Sequence, residues 1–482
     1  MSVSKKANAL SAQSASTSAD KVLKFQHAYI ANQDASITVK HESIGVDKAS
    51  SALLRGNFSW HASIDAKPVS LTYGFWDSAP KNIPSKLSGF SSFNIDERAA
   101  ARLSLQSWSD VANIKFTEVS DASKANITFG KFDYSSKDDY AFGYYPNGPV
   151  QSGNSGQTWY NAQNHTFKDG DINAGQYGRQ TITHEIGHTL GLKHPGDYDA
   201  KDEEKATYDK SATYFEDSRA YSIMSYFNAT YTGQDLVGQH SAGPLISDIA
   251  AIQKLYGANM ETRSDDTIYG FNSNTGRDYL TITSASQKAV FAVWDGGGND
   301  TLDFSGYSQD QRINLNELSF SDVGGGKGNV SIAKGAIIEN AIGGSGNDIL
   351  IGNDADNVIK GGAGNDVIYG GKGADILYGG AGKDTFVYFD ANESTATATD
   401  IIKDFTHGED LIDLSYFNTG KDGDSLRFVD NFTGANAEIK ISFNQQDSIN
   451  DVAIHLADGT AQNDFLLKVV GAHLTQSDFA LA

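Results

Sequence analysis

Residues 184–195 read HEIGHTLGLKHP, a stretch in which three histidines and one glutamate stand among small and aliphatic residues. Residues four apart lie about 40° apart around an α-helix, so His184 and His188 project from one face and can share one ion. Gly191 allows the helix to end, and the following turn brings His194 back as a third ligand. The spacing predicts one catalytic zinc ion with three imidazole ligands and an open fourth position.

Glu185 follows the first histidine and is rotated by about 100° from it on a helix. This angle keeps its carboxylate out of the ligand row but close enough to contact a water on the metal. Such a carboxylate can accept the proton of the water as it attacks a peptide carbonyl, and can pass the proton to the leaving amine. The short H-E-x-x-H pattern also occurs on surface helices, whereas the full spacing H-E-x-x-H-x-x-G-x-x-H is far rarer by chance. Hydrolysis is therefore the expected chemistry.

The composition limits the class of protein. With 482 residues the chain is too long for one core, which predicts two or three domains. The formal net charge of -22 is spread along the chain, which argues against nucleic acid as a partner and favours solubility or divalent cations. No apolar run approaches the roughly 20 residues of a membrane-spanning helix. Cysteine is absent, which excludes disulfides, thiolate metal sites and a cysteine nucleophile.

The N-terminal half has a mixed globular composition. Residues 1–18 are rich in Ser and Ala and are interpreted as a disordered leader or pro-segment, a loose terminus without a role being the alternative. They lack the apolar core of a usual secretory signal, so export would need another route. Hydrophobic patterning predicts strands over residues 69–76 and 113–119 and a helix over residues 95–112. The region up to residue 260 is therefore expected to be an α+β domain.

Glycine, aspartate and asparagine recur with a period of nine after Tyr256. Five successive nonamers cover residues 343–387, and residues 295–303 are a partial copy. The glycines allow turn dihedrals that bring backbone carbonyls inward, and the aspartate adds charge for a hard cation. A flexible linker would not keep an inward apolar residue in every nonamer, here Leu350, Ile359, Ile368, Leu377 and Phe386. The period predicts a solenoid of short strands with calcium between its turns.

The calcium ligands expected in the repeats are the glycines at the second and fourth positions and the aspartate at the sixth position of each regular nonamer. They are Gly344, Gly346, Asp348, Gly362, Gly364, Asp366, Gly371, Gly373, Asp375, Gly380, Gly382 and Asp384. The nonamer of residues 352–360 departs from this pattern, because Asn357 replaces the aspartate and Ala355 replaces a glycine. The sequence therefore predicts calcium less strongly on that turn than on the others.

A second element lies 30 residues beyond His194, where AYSIMSYF (residues 220–227) supplies Met224 and Tyr226. With it the chain resembles the metzincins, and within them the serralysins, secreted RTX alkaline metalloproteases of Gram-negative bacteria. The resemblance covers residues 19 to 482 and implies an α+β metzincin catalytic domain at 19–260 followed by an all-β parallel β-roll of RTX repeats at 261–482. It also implies that Met224 forms an apolar floor below the zinc histidines. Tyr226 would be a further zinc ligand that moves off when substrate binds and then stabilises the oxyanion.

The same resemblance implies calcium sites near the junction of the two domains. Backbone oxygens and two carboxylates would hold one ion, the residues being Arg263, Asp265, Thr267, Gly297, Asp295 and Asp300. Gly298 and Glu339 would join Asp300 around a neighbouring ion. A solvated acidic turn is the alternative interpretation of these loops.

The expected function is that of a secreted zinc endopeptidase, made as a proenzyme, that cleaves protein and peptide substrates with broad specificity. Substrate is expected along an edge strand at residues 141–145. The resemblance further implies several structural calcium ions, export by type I secretion machinery that reads a signal from Asp478 to Ala482, a small inhibitor protein of the producer, and a monomer. A non-catalytic RTX binding or adhesion protein would be favoured by loss of Glu185 or a histidine, and none is lost. An RTX lipase would need a G-x-S-x-G motif, which the chain lacks.

Overall fold

The structure is a computed structural model, which describes residues 17–481 except 57, 62, 82, 85–86, 134–140, 148–152, 165–166, 168–169, 197, 199–205, 420–423 and 457–463. Residues 1–16 of the expected leader and Ala482 of the expected export signal lie outside the described residues. Within this part of the chain, no helix combines the length and the apolarity that a membrane crossing requires.

The α-helices that the structure describes in full lie in the first 256 residues. They are α1 (Ser18–Gln26), α2 (Gly45–Ala52), α3 (Ile95–Val111), α4 (Tyr177–Thr189), α5 (Tyr208–Ser211) and α6 (Ile246–Tyr256). Helix α3 confirms the expected helix to within one residue. It begins with a reciprocal cap, in which Asn94 Oδ1 accepts from the Glu97 N–H at 2.9 Å and the Glu97 carboxylate accepts from the Asn94 N–H at 2.7 Å.

A five-stranded sheet supports the N-terminal half. Its strands are β1 (Val69–Phe75), β2 (Ile114–Glu118), β3 (Ile127–Phe132), β4 (Ala141–Gly143) and β5 (Gln157–Asn161), in the order β2-β1-β3-β5-β4. Strands β1, β2, β3 and β5 are parallel, whereas β4 runs antiparallel to β5 and forms one edge. The expected strands at 69–76 and 113–119 are confirmed, and part of 141–145 is an edge strand. Helices α3 and α4 pack together, and α4 also contacts β4 and β5.

The C-terminal half consists of short strands. They are β6 (Ile268–Gly270), β7 (Phe291–Val293), β8 (Thr301–Asp303), β9 (Arg312–Asn314), β10 (Phe320–Ser321), β11 (Val330–Ile332), β12 (Asn340–Ile342), β13 (Ile349–Ile351), β14 (Val358–Ala363), β15 (Val367–Tyr369), β16 (Ile376–Ala381), β17 (Thr385–Val387), β18 (Asp400–Ile402), β19 (Leu411–Asp413), β20 (Arg427–Phe428), β21 (Glu438–Asn444), β22 (Ile449–His455), β23 (Phe465–Val470) and β24 (Phe479–Ala480). Their sheets have the orders β20-β21-β22-β23-β18-β16-β14-β12-β8-β6, β24-β19-β17-β15-β13-β9 and β10-β11-β7.

The nonamers alternate between the two larger sheets. Strands β13, β15 and β17 pair in parallel in one sheet, and β12, β14 and β16 pair in parallel in the other. Ile349 therefore lies beside Val367, two nonamers further along the chain. The middle residue of each repeat strand is buried, with an exposed fraction of 0% to 1% at Leu350, Ile359, Ile368, Leu377 and Phe386. These observations confirm a parallel β-roll.

Helix α1 packs on the outside of the roll. Ala19, Val22 and Phe25 are buried against a patch from β13, β15 and β17 that includes Ile351 and Val387. Asp413 Oδ2 accepts from the Ala19 N–H at 3.2 Å, and the guanidinium of Arg312 lies 4.9 Å from the centre of the Phe25 ring. The start of the described chain is thus attached to the C-terminal half.

Candidate metal centres

Helix α4 carries the first two zinc histidines and is buried along nearly its whole length. It ends at Thr189, and the chain reverses at Gly191, whose φ is 107°. A Cβ at Gly191 would collide with the carbonyl oxygen of Phe58, so only glycine fits this turn. The turn returns the chain toward the helix and brings His194 beside His184 and His188.

The three histidines form one cluster, in which their ligand atoms lie within 4.8 Å of one another. Each ring has its Nδ1 atom on a backbone carbonyl, which leaves Nε2 to face the cluster. The bonds run from His184 to Ile223 O (2.8 Å), from His188 to Leu192 O (2.7 Å) and from His194 to Tyr198 O (2.9 Å). These carbonyls fix both the tautomer and the orientation of the rings.

The electrostatics of the cluster favour neutral imidazoles. Burial, followed by the neighbouring His194, lowers the pKa of His184 to about 3, and burial holds the pKa of His188 well below its usual value. The Nε2 atoms of His184 and His194 are 3.3 Å apart. Two nitrogens on a tetrahedral zinc, each about 2.0–2.1 Å from the ion, lie roughly 3.3 Å from each other. The cluster therefore fits a zinc ion in both charge and spacing.

Met224 packs against the helix that carries the cluster, and Tyr226 lies beside two of its rings. Met224 is fully buried beneath α4, where a Cβ built on Gly187 would lie 2.7 Å from its Sδ atom. The ring of Tyr226 is centred 4.4 Å from the ring of His194 and 6.0 Å from that of His184. Asp248 anchors the turn that carries both residues, because its carboxylate accepts from the Ile223 N–H at 2.7 Å and from the Ser222 hydroxyl at 2.6 Å.

Glu185 lies between α4 and the edge strand β4. Its carboxyl is buried, and burial raises its pKa to about 8 while a hydrogen bond from the Gly143 backbone acts in the opposite direction. Its Oε2 atom has no hydrogen-bond partner among the described residues. A Cβ on Gly143 would lie 2.7 Å from Glu185 O, so the absent side chain keeps this space open. An unpartnered buried carboxylate oxygen is costly, and a water at the metal site would offset that cost.

Replacing Gly187 by alanine is expected to displace Met224. The added methyl group would meet Met224 Sδ at 2.7 Å and Trp108 Cζ2 at 3.1 Å, so the floor of the site must shift. Overpacking of this kind costs about 1–3 kcal/mol. We expect a lower melting temperature and weaker zinc retention in competition with a chelator. Shortening the neighbour in the double variant Gly187→Ala/Met224→Ala should recover part of the loss, and equal zinc retention in Gly187→Ala and the parent protein would contradict this account.

The roll places its aspartates in two columns that run along the solenoid. In one column, the N–H of Asp348 donates to Asp366 Oδ1 at 2.8 Å and the N–H of Asp366 donates to Asp384 Oδ1 at 2.9 Å. In the other, the N–H of Asn357 donates to Asp375 Oδ1 at 2.8 Å. The second carboxylate oxygens of Asp366, Asp375 and Asp384 are buried and have no hydrogen-bond partner among the described residues.

The repeat glycines stack so that the carbonyl of one turn lies under the glycine of the next. A Cβ at Gly362 or Gly364 would overlap the carbonyl oxygen of Gly344 or Gly346, and Gly380 and Gly382 repeat this relation. Gly371 and Gly373 stand in the same way over Asn353 and Ala355. Carbonyl and carboxylate oxygens thus recur at each turn of the roll, and these are the ligands that calcium prefers.

The irregular nonamer differs from its neighbours as its sequence suggests. Asn357 Oδ1 accepts from the Asn353 N–H at 2.8 Å, and Asn357 Nδ2 donates to Asn353 Oδ1 at 3.0 Å. The amide is therefore satisfied within its own turn and leaves no charged oxygen for a cation.

Sequence reasoning missed the aspartates that continue both columns beyond residue 387. The N–H of Asp375 donates to Asp400 Oδ1, and the N–H of Asp384 donates to Asp410 Oδ1, both at 2.9 Å. Burial raises the pKa of Asp400 to about 9. The signal was present in DIIK (residues 400–403) and DLID (residues 410–413), which repeat the end of the nonamer without its glycines.

The residues expected at the junction are brought together. Asp300 Oδ1 accepts from the Thr267 N–H at 2.8 Å, and Glu339 Oε2 accepts from the Asp300 N–H at 2.8 Å. Burial and the neighbouring Asp295 raise the pKa of Asp300 to about 8. Asp300 Oδ2 has no hydrogen-bond partner within the described part of the chain.

The junction loops contain further oxygen atoms that lie close to one another. The Asp265 carbonyl accepts from Thr267 Oγ1, Asp295 accepts from the Gly297 N–H, and a Cβ on Gly298 would lie 2.8 Å from Asp265 O. Arg263 begins this segment in the left-handed region, with a φ of 51°.

Family models of known proteins match the N-terminal and the C-terminal half of the chain separately. The family model described as Peptidase M10 serralysin C terminal matches residues 258–481, the Matrixin model matches residues 79–210, and a Met-zincin model matches residues 168–265. Serralysin of a Photorhabdus species is 58% identical over 458 residues, which cover 94% of both chains. Serralysin A of Dickeya chrysanthemi is 50% identical and Metallopeptidase AprA of Pseudomonas marginalis is 49% identical, each over 477 residues and 98% of both chains.

The chain shares 49% to 58% of its residues with these relatives over nearly its whole length. Its structure also has a histidine cluster that fits zinc, a buried methionine below α4 and a β-roll. The chain therefore belongs to the serralysin family and is a zinc metalloendopeptidase.

Proposed function

We propose that this chain is a secreted, broad-specificity endopeptidase whose catalytic machinery consists of His184, His188, His194, Glu185 and Tyr226. The observation that carries the proposal is the buried carboxylate of Glu185, with an oxygen that has no partner among the described residues, beside three buried imidazoles and the edge strand β4. Cleavage of casein by the zinc-loaded protein in millimolar calcium tests it. Absence of cleavage by the folded, zinc-loaded protein would contradict this assignment of the catalytic machinery.

The three histidines would hold a zinc ion, which when bound would supply a Lewis acid to polarise the scissile carbonyl and to lower the pKa of water. Glu185 accepts a proton from the attacking water and returns it to the leaving amine. Burial raises the pKa of Glu185 above its usual range, which makes the carboxylate a stronger proton acceptor. Tyr226 lies beside His194 and His184, where its hydroxyl donates to the oxyanion once substrate has entered.

Substrate lies extended along β4. Within the described part of the chain this strand pairs only with β5, and Gly143 brings its backbone close to Glu185 and His188. A peptide on the free edge pairs through main-chain hydrogen bonds, which are present in every sequence. Such recognition explains broad specificity, since the strongest contacts do not depend on side chains.

The second part of the proposal is that several calcium ions stabilise the roll and the junction. Their ligands are the residues named above for the regular nonamers and for Arg263 to Glu339. Support comes from the unpartnered oxygens of Asp300, Asp366, Asp375 and Asp384, which a divalent cation would satisfy. Sites of the extracellular type have dissociation constants of about 10⁻⁴ to 10⁻³ M, so they fill outside the cell and stay empty in the cytosol.

If calcium binds to the roll only outside the cell, the roll stays unfolded in the cytosol. This supports export of an unfolded chain by type I secretion machinery. We assign residues 1–18 to the pro-segment, residues 19–260 to the catalytic domain and residues 261–482 to the calcium-binding RTX domain with its export signal. A monomer and a small inhibitor protein of the producer complete the proposal.

Calcium affinity is expected to fall as the pH is lowered through about 7. Burial raises the pKa of Asp366 and of Asp375 to about 7, so below this value calcium must displace protons. Without calcium the sign reverses: these carboxyls titrate near 3.9 when unfolded, so the folded roll binds more protons and gains stability as the pH falls from 8 toward 4. Calorimetric titration at pH 8.5 and pH 5.5 measures the affinity, and equal affinities would contradict the assigned ligands.

A further inference from the structure

Asp217 lies outside the proposed machinery but close to it. Its side chain is fully buried, and its Oδ1 atom accepts two hydrogen bonds, from the Tyr198 hydroxyl at 2.8 Å and from the Ser225 hydroxyl at 2.7 Å. Its Oδ2 atom has no hydrogen-bond partner among the described residues. A buried carboxylate with one unpartnered oxygen is costly, and the two hydroxyl groups recover only part of that cost.

Tyr198 connects this carboxylate to the third zinc histidine. The backbone oxygen of Tyr198 accepts the Nδ1 hydrogen bond of His194 at 2.9 Å. The two rings also stack, with centroids 5.4 Å apart and planes at 6°. A shift of Tyr198 would therefore both move the acceptor that sets the His194 tautomer and remove the surface on which the imidazole rests.

Ser225 connects the same oxygen to Tyr226, its neighbour in the chain. The Ser225 Oγ atom also accepts from the Phe227 N–H at 3.1 Å, so the hydroxyl spans the turn that carries Tyr226. The Tyr226 ring contacts Tyr198, with centroids 5.2 Å apart, and His194, with centroids 4.4 Å apart. His194 and Tyr226 are thus linked through a single carboxylate oxygen.

We propose that Asp217 is a positioning residue that holds His194 and Tyr226 in a common arrangement through Tyr198 and Ser225. The inference deepens the proposed function and rests on it for the role of Tyr226. Partners beyond the ligands usually change metal affinity or activity by about 10–100-fold when they are lost. The loss should appear at the metal and in kcat, because the edge strand that binds substrate makes none of these contacts.

Glu216 provides a matched control. It is the preceding residue and is also buried, but its carboxylate accepts from the Ile44 and Gly45 N–H groups and from the Ser43 hydroxyl. These bonds secure the start of α2 and touch no residue of the zinc site. Glu216→Gln should therefore lower thermal stability without altering the metal.

The experiment compares the full-length calcium-loaded parent protein with Asp217→Asn, Tyr198→Phe, the double variant of both, and Glu216→Gln. Zinc affinity is measured by competition with a chelator, and the cobalt-substituted proteins give an absorption spectrum that reports ligand geometry. We expect a loss of zinc affinity of about 10–100-fold in Asp217→Asn, with an altered cobalt spectrum and little further change in the double variant. In Glu216→Gln, affinity and spectrum should stay those of the parent.

The proposal is overturned if Asp217→Asn and Tyr198→Phe keep the zinc affinity and the cobalt spectrum of the parent. It is equally overturned if Glu216→Gln changes both as strongly, since the effect would then follow stability alone. Tyr198→Phe removes one hydroxyl group and keeps the test informative if Asp217→Asn does not fold. A parent protein that binds zinc but cleaves no peptide would refute the proposed function, whereas the metal measurements would still decide the role of Asp217.

Discussion

Glu185→Ala is expected to lower kcat/KM for a peptide substrate by about 10²–10⁴-fold while zinc remains bound. The loss follows because no other described carboxylate is placed between α4 and β4 to accept the proton from water. The three histidines keep their backbone acceptors in the variant, so the metal site should persist. Removing a buried, incompletely paired carboxylate should also leave the melting temperature unchanged or slightly higher.

The measurement pairs hydrolysis of a quenched peptide with zinc content and melting temperature in millimolar calcium. Glu261→Ala, at an exposed position outside both metal centres, is the control and should keep full activity. If Glu185→Ala keeps zinc and retains more than a tenth of the parent activity, Glu185 is not the base. Loss of zinc together with activity would instead indicate that its carboxylate supports the metal site.

Removal of calcium, with zinc still supplied, is expected to unfold the roll and abolish activity. One site filled at 100 times its dissociation constant stabilises the folded state by about 2.7 kcal/mol. Several such sites equal or exceed the total stability of an ordinary domain, which is about 5–15 kcal/mol. Without the ions, the roll must bury carboxylates whose pKa values are raised to about 6 at Asp348 and Asp384 and to about 7 at Asp366 and Asp375.

Circular dichroism and activity, recorded in calcium-free buffer with micromolar zinc and again after calcium is restored, test this expectation. Asp366→Asn should raise the calcium concentration needed for refolding, because it removes the charge of an unpartnered buried oxygen. Asp354→Asn is the matched control, since Asp354 is exposed and pairs with Lys372 on the surface. A roll that keeps its secondary structure and its melting temperature without calcium would contradict the proposed sites.

Some of this architecture could be predicted because its signals are local. The zinc histidines lie within eleven residues, and helical geometry with one glycine turn is enough to bring them together. The β-roll can be predicted from the period of nine, because each repeat encodes its own turn, its own strand and its own inward-facing residue. The strands at 69–76 and 113–119, the helix at 95–112 and the edge strand β4 likewise follow from short patterns.

The remaining features depend on residues that are distant in the chain. Asp217 meets Tyr198 and Ser225 only because three loops converge, and no periodicity marks an isolated aspartate as their common acceptor. Asp400 and Asp410 extend the columns although the glycine pattern has ended, because parallel pairing continues beyond it. Helix α1 joins the roll more than three hundred residues away, through apolar burial that has no sequence signature. Local patterns thus specify which groups a short segment carries, while folding of the whole chain selects which distant groups meet.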